Sequence, residues 1–276
     1  MSKGNEVGIF GMGWVGRAMK ELFPAALVCD PLHPELASMA DINARCSVAF
    51  IAVPTPGNPD CSLDMSIVEG VVRDCTAPLI VIRSTLQPGT CDCLEETYGK
   101  NICMVPEYLG ETVAHPLLDE TQRKFLVIGG RPSNRRKLIE LYQSVYNANV
   151  TIRQVSNLEA EVIKLSENRA IAFKVMQSHE LFLACEAAGV DYYVIREAVY
   201  GDDPRFDLWF TFAKEGNLGF DSSKCLQKDV PAWAAWAESV GGSAEITEML
   251  VKKSREYARS GEAPYTCDNR PSGEEV

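Results

Sequence analysis

No apolar run in this chain is long enough to span a bilayer, which argues against a membrane helix. Positive charge is in short supply. The formal net charge is −11 at pH 7, and this argues against nucleic acid or an anionic membrane as the main partner. An apolar leader with a cleavage site is missing too: Met1-Ser2-Lys3 run almost directly into a strand, so a cytoplasmic location is expected. There are ten cysteines, but not the spacing of a disulfide framework or a zinc site. Cys29, Cys46, Cys75, Cys103 and Cys185 lie in or beside apolar segments, where cysteine serves as a small hydrophobe. Cys91-Asp92-Cys93 is too tight for an ordinary disulfide or a zinc knuckle, and no second Cys/His pair lies near it. No metal site is expected, and neither repeats nor low-complexity tracts occur.

What is present fits two modest domains: 276 residues, 46% of them hydrophobic. Short apolar strands are expected at 6–10, 26–29, 47–53, 79–83, 102–105 and 125–128, with helical or loop stretches between them. That alternation predicts an α/β class with a doubly wound parallel sheet, a Rossmann domain over residues 1–155. Ser156-Asn157-Leu158-Glu159 has the form of a capping box. It opens a stretch without Pro or Gly that runs to Ala188, predicting one helix about 48 Å long that ends at Gly189. A helix of that length crosses more than one domain or joins a subunit interface. Further helical signals at 192–200 and 229–259 predict a small all-helical domain over 156–260, and the polar residues 261–276 a frayed tail.

Gly11-Met12-Gly13-Trp14-Val15-Gly16 follows the first strand and opens a helix, the setting of a dinucleotide fingerprint. Gly11 allows the tight turn, Gly13 the approach of a diphosphate, and Gly16 the packing of helix on strand. Asp30, at the end of the second strand, suits the ribose hydroxyls and repels a 2′-phosphate, so NAD is the expected cofactor. Cys225-Leu226-Gln227-Lys228-Asp229 adds a thiol, an ammonium and a carboxylate within five residues, close behind Gly219-Phe220. A cysteine beside a nicotinamide suggests an oxidation through a covalent sulfur adduct.

Several further stretches occur in a fixed order. They are Val53-Pro54-Thr55-Pro56, Asp60-Cys61-Ser62-Leu63-Asp64, Arg83-Ser84-Thr85-Leu86-Gln87-Pro88-Gly89-Thr90 and Pro106-Glu107-Tyr108-Leu109. After them come Ala160-Glu161-Val162-Ile163-Lys164 with Asn168, Cys185-Glu186-Ala187-Ala188-Gly189-Val190-Asp191 and Asp203-Pro204-Arg205. This order resembles the UDP-glucose/GDP-mannose dehydrogenase family of nucleotide-sugar oxidoreductases, over residues 6 to about 255. The resemblance implies an NAD-dependent dehydrogenase that takes a primary alcohol to a carboxylate, through an aldehyde, a thiohemiacetal on Cys225 and a thioester. It implies a small-molecule alcohol substrate, sugar or nucleotide-sugar-like, and a homodimer through the long helix.

Carried over residue by residue, the resemblance makes Cys225 the nucleophile, with Lys224 and Lys228 favouring the thiolate. The bland alternative is a buried inert cysteine. Lys164 and Asn168 become oxyanion donors from one helix face; the alternative is a solvated face. Glu107 becomes the helper of the water that opens the thioester, or else a surface carboxylate. Asp229 orients a water or takes the thiol proton, or caps a helix. Val53, Pro54, Thr55, Ser84 and Thr85 join Trp14 and Val15 as cofactor contacts, with a simple turn role as the rival for the two threonines. Tyr108, Leu109, Lys228 and Arg205 become substrate contacts.

Two departures stand out. The family carries a third, nucleotide-binding domain after the central helices, and this chain stops at 276, which reads as a short form. The family's glycine-rich approach to the cysteine is here Gly219-Phe220-Asp221-Ser222-Ser223-Lys224-Cys225, longer and with an added negative charge. Retained chemistry with altered substrate recognition follows. Two other readings stay open: a two-electron dehydrogenase of the 3-hydroxyacid or 6-phosphogluconate type using Lys164, and a non-catalytic NAD-binding relic.

Overall fold

A computed structural model describes residues 6–110, 119–146 and 148–259. The expected tail at 261–276 lies outside them. The chain divides into two compact units, one formed by residues up to Thr55 and Asp64–Lys164, the other by Pro56–Leu63 and the residues from Leu165 onward.

The first unit is built on five parallel strands: β1 (Glu6–Phe10), β2 (Leu27–Cys29), β3 (Cys46–Ile51), β4 (Leu79–Ile82) and β5 (Ile102–Met104). Their order in the sheet is β2-β1-β3-β4-β5. The chain passes from β1 to one neighbour, then returns to lay β3 on the other side. The strand order reverses there, so the ends of β1 and β3 open a crevice of the kind in which such sheets hold ligands. The middle strands read as unbroken apolar runs because both their faces are covered: Ala49, Phe50 and Ile51 are inaccessible to solvent, as are Ile80, Val81 and Ile82. Helices α1 (Trp14–Leu22), α2 (Met39–Arg45), α3 (Ser66–Asp74), α4 (Thr90–Tyr98) and α5 (Pro132–Tyr142) accompany the sheet. On one face Phe50 packs against Phe23 and Tyr142 with ring centres 5.5 and 6.1 Å apart. Each such buried ring contributes about 2–3 kcal/mol.

A strand that the sequence does not announce, β7 (Thr151–Val155), pairs in parallel with β6 (Phe125–Gly129) in a separate two-stranded sheet. Three of its five residues are exposed, so it lacks the apolar signature of the others.

Helix α6 (Asn157–Ala188) has the expected bounds. Its capping box forms: Ser156 Oγ accepts from Glu159 N at 3.2 Å, and Glu159 Oε2 accepts from Ser156 N at 2.7 Å. The division between the units falls inside this helix, between Lys164 and Leu165, rather than at its start.

The second unit continues α6 with α7 (Tyr192–Arg196), which widens into one π-type turn over Glu197–Gly201, then α8 (Leu226–Ser239) and α9 (Glu245–Arg259). The helical signal at 229–259 is therefore two helices, and the first begins earlier, at Leu226. Gly241-Gly242 break it, each glycine costing a helix about 1 kcal/mol. A core of Ala172, Met176, Phe220, Leu226, Val230 and Val251 joins α6, α8 and α9. Arg169 is stacked between Phe173 and Trp233, 4.6 and 4.2 Å from the ring centres. No helix among the described residues is long and apolar enough to cross a membrane.

Candidate functional site

In the first unit the chain leaves β1 through Gly11 at φ +95°, where a Cβ would lie 2.3 Å from the Ala52 carbonyl oxygen. A Cβ on Gly16 would lie 2.0 Å from Gly11 O, so loop and helix touch backbone to backbone there. Gly13 differs: its Cβ would meet nothing within 4 Å. Helix α1 starts just after it with no side-chain cap and no acidic residue in its first turn. Free amides facing open space are what a diphosphate needs. Trp14 is exposed and Val15 half-buried at the same helix end. Asp30 ties this loop to β2: Oδ2 accepts from Met12 N at 2.6 Å and Oδ1 from Leu32 N at 2.8 Å. Each oxygen keeps a lone pair for a ribose hydroxyl. The residues present fit the diphosphate and ribose of NAD.

Ser84, at the end of β4, accepts from Val53 N at 3.0 Å and donates to Val53 O at 2.7 Å. It fixes Val53-Pro54-Thr55 after β3; Pro54 is exposed, Thr55 buried and Thr85 half-buried.

Glu107 follows β5 and is no surface carboxylate. It lies in a buried quartet with Arg83, Arg123 and Glu120. Oε2 accepts from Arg83. Oε1 accepts from Tyr108 N at 2.6 Å, Leu109 N at 2.7 Å and Arg123 Nη2 at 3.0 Å. Glu120 binds both guanidiniums and accepts from Tyr146 Oη at 2.6 Å. Burial alone would raise the Glu107 pKa, but Arg83 and Arg123 outweigh it and hold it at about 2. A carboxylate with four donors and that pKa is a weak base. What it does do is set the backbone of Tyr108 and Leu109. The Tyr108 ring then lies 5.5 Å from Lys164 Nζ and 5.2 Å from the Arg123 guanidinium, in cation–π range. Lys164 is buried, not on a solvated face. Sequence reasoning missed Arg123 and Glu120, which carry no motif; Arg83 stood in a quoted stretch without a role.

In the second unit Cys225 is exposed and occupies the N-cap of α8, its carbonyl accepting from Asp229 N at 2.9 Å. It is not a buried inert thiol, and a helix N-terminus favours an anion. One turn on, Asp229 is inaccessible to solvent. It caps nothing: Oδ2 accepts from Asn168 Nδ2 at 2.6 Å and Oδ1 from Lys228 Nζ at 2.6 Å. The charge of Lys228, expected to favour the thiolate, is thereby balanced locally by Asp229. Asn168 is buried as well. Lys224 is exposed. Arg205 is exposed on the surface and pairs with Asp203 two residues before it. Asp221 does not lie free in its loop. It accepts from Ser254 Oγ on α9 at 3.0 Å, and partial burial raises its pKa above the ordinary value. No disulfide joins the nine cysteines among the described residues, and no metal-binding cluster occurs among those residues.

Residues 24–148 match the model of the UDP-glucose/GDP-mannose dehydrogenase family, NAD binding domain, and residues 158–255 match its central domain. UDP-glucose 6-dehydrogenase of Pseudomonas aeruginosa is 30% identical over 232 residues, 78% of this chain and 49% of that protein. A solved UDP-glucose dehydrogenase from Pyrobaculum islandicum superposes with a TM-score of 0.77 at 25% identity, covering 93% of this chain and 69% of that one. A 3-hydroxyisobutyrate dehydrogenase from Mycobacterium tuberculosis gives 0.68 at 14% identity, covering 96% and 97%, a likeness of fold alone. The chain spans about half the length of the curated relatives it matches. With Asp30 and Glu107 inside the stretch that matches the NAD-binding model and Cys225 inside the one that matches the central model, the chain belongs to the UDP-glucose/GDP-mannose dehydrogenase family.

Proposed function

We propose that this protein oxidises the primary alcohol of a sugar nucleotide to a carboxylate by way of a sulfur adduct on Cys225. One observation carries this: an exposed thiol stands at the start of α8, within the stretch matching the family's central domain, one turn before the joined pair Asp229–Asn168. The glycine loop and Asp30 would hold NAD, which would supply the hydride acceptor for each oxidation. The alcohol loses one hydride and a proton to give an aldehyde. The Cys225 sulfur adds to the carbonyl carbon, and the oxygen takes up a proton. Loss of the second hydride and of that hydroxyl proton leaves a thioester. Water breaks the carbon–sulfur bond, giving the acid and returning the thiol. Asn168, whose amide donates to Asp229, and Lys164 keep in this scheme the oxyanion-donor roles that the family resemblance gives them. Glu107 shapes the Tyr108–Leu109 wall in this scheme rather than moving a proton. Because Asp221 is taken up by Ser254, the loop before Cys225 holds no loose carboxylate against a diphosphate. We further infer a homodimer through α6 and a cytoplasmic site of action.

The test is stoichiometry. UDP-glucose and GDP-mannose are offered with NAD, and two NADH per alcohol are expected, with Cys225→Ser losing the second. A single NADH, indifferent to Cys225→Ser, moves the reading to a two-electron dehydrogenase working from Lys164. No NADH from either, with NAD still bound, leaves a relic.

A further inference from the structure

His179 lies on α6 in the second unit, 4% exposed. Its ring is held from two sides. The Gly219 N–H donates to Nδ1 at 2.8 Å, and Nε2 stands 3.0 Å from Phe212 O. A carbonyl can only accept, so Nε2 carries the hydrogen, and Nδ1, as acceptor, carries none. The two contacts together select the neutral ring.

The segment gripped in this way leads directly to Cys225. Gly219 sits at φ +84°, and a Cβ there would lie 2.6 Å from Ser254 O on α9. Phe220 N donates to Ser254 Oγ at 2.8 Å, and the Phe220 ring is buried in the α6–α8–α9 core. Ser223 N donates to Phe220 O at 3.0 Å. Ser223 in turn accepts from the first turn of α8, Oγ from Leu226 N at 3.2 Å and O from Gln227 N at 3.2 Å. Hydrogen bonds thus run from the imidazole to the helix end that carries the thiol.

We propose that His179 is a positioning residue for Cys225, its neutral imidazole anchoring the strap 212–225 and so setting where the thiol stands. This rests on Cys225 being the nucleophile. Burial lowers the His179 pKa from its ordinary value, against the opposing pull of the Phe212 carbonyl. A proton added at Nδ1 would face the Gly219 N–H donor to donor and release the strap. Charged and titratable groups on the surrounding elements are engaged elsewhere or exposed. Asp221 binds Ser254. Tyr192 and Tyr193 donate to Thr211 O and Ala213 O, and Arg196 to Thr211. Lys253 pairs with Glu256, and Lys174 with Asp207. Lys214, Glu215 and Glu180 are exposed.

The experiment follows amide exchange at Gly219 and Phe220 in the full chain from pH 5 to 8, corrected for intrinsic rates, beside steady-state turnover. Wild type is expected to lose protection by about tenfold or more toward pH 5. His179→Gln, which can accept from Gly219 and donate to Phe212 but cannot titrate, should stay protected throughout. His179→Ala should lose protection at every pH and lower kcat by about tenfold while KM for NAD holds. Wild-type protection that does not change with pH, or His179→Ala with unchanged exchange or kcat, overturns the proposal. If Cys225→Ser still forms acid, the cysteine reading falls and the positioning role with it, whatever exchange shows. If Cys225→Ser is dead and His179→Ala turns over normally, only the His179 role falls.

Discussion

Asn168 Nδ2 stands 2.6 Å from Asp229 Oδ2, and the other carboxylate oxygen holds Lys228 Nζ at the same distance. A buried anion between an amide and an ammonium fixes both. It holds the Asn168 amide in place and balances the Lys228 charge locally. Asp229→Asn keeps the shape and removes the charge. With the Lys228 pair gone and the Asn168 amide facing another amide, kcat should fall about 10- to 100-fold with KM for NAD little changed. Stability should drop by about 1–3 kcal/mol, read as a lower midpoint in denaturant at unchanged slope. Full turnover in this variant would remove Asp229 from the site.

The three glycines of the cofactor loop should separate into two kinds. At Gly11 and Gly16 an added Cβ runs into backbone at 2.3 and 2.0 Å, so Ala at either breaks the fold, showing as insoluble or cold-labile protein. At Gly13 the Cβ has open space, so Gly13→Ala should fold with a melting temperature near wild type. Its methyl would stand in the diphosphate's path. Loss of NAD affinity by about tenfold, measured by calorimetric titration, is expected. A Gly13→Ala protein that binds NAD as wild type does would place the diphosphate elsewhere.

The legible parts of this protein were those where local chemistry and burial coincide. Buried strands such as Leu79–Ile82 are apolar on both faces, so composition alone marks them. The capping box at Ser156 and Glu159 and the absence of Pro and Gly to Ala188 marked α6 to the residue. Strand β7 escaped because Thr151, Arg153 and Gln154 are exposed and its pairing to β6 is non-local. The site followed the same rule. Cys225, Gly11 and Asp30 sit in short contiguous patterns. The quartet does not: Arg83, Glu107, Glu120 and Arg123 come from separate turns of the chain, and only the folded sheet brings them together. Asp221 looked like a charge offered to a ligand, because nothing in the sequence announces that Ser254, on another helix, claims it.

Glu107 gives a pH signature. Its carboxyl is held at about 2 in the folded state, below the ordinary value of 4.5. The depressed group contributes stability that is complete above pH 4.5 and is lost as the pH falls toward 2. Glu107→Gln removes that contribution and leaves Arg83 and Arg123 short of an anion. The variant should be less stable than wild type at pH 7, and the gap between them should shrink below pH 4. Thermal unfolding from pH 7 to 3 checks this. The kcat profile of wild type should carry no ionisation from Glu107 between pH 5 and 9; a limb that disappears in Glu107→Gln would restore it as the base.

Glu161 is expected to behave with the opposite sign. It is inaccessible to solvent on α6, and its two oxygens accept from Gly89 N at 2.6 Å and Cys91 N at 2.8 Å, closing the N-terminus of α4. Burial raises its pKa to about 7 even though those amides pull it down. A folded-state pKa above the unfolded value makes the protonated form the favoured one in the fold. Its contribution is therefore full below about pH 4.5 and declines as the pH rises through 7. Glu161→Gln carries no charge to desolvate but keeps an oxygen for one of the two amides. The difference in melting temperature, variant minus wild type, should then move in the variant's favour from pH 5 to pH 8. A constant difference across that range would mean that the carboxylate stays ionised, stabilised by the α4 amides more strongly than burial opposes it.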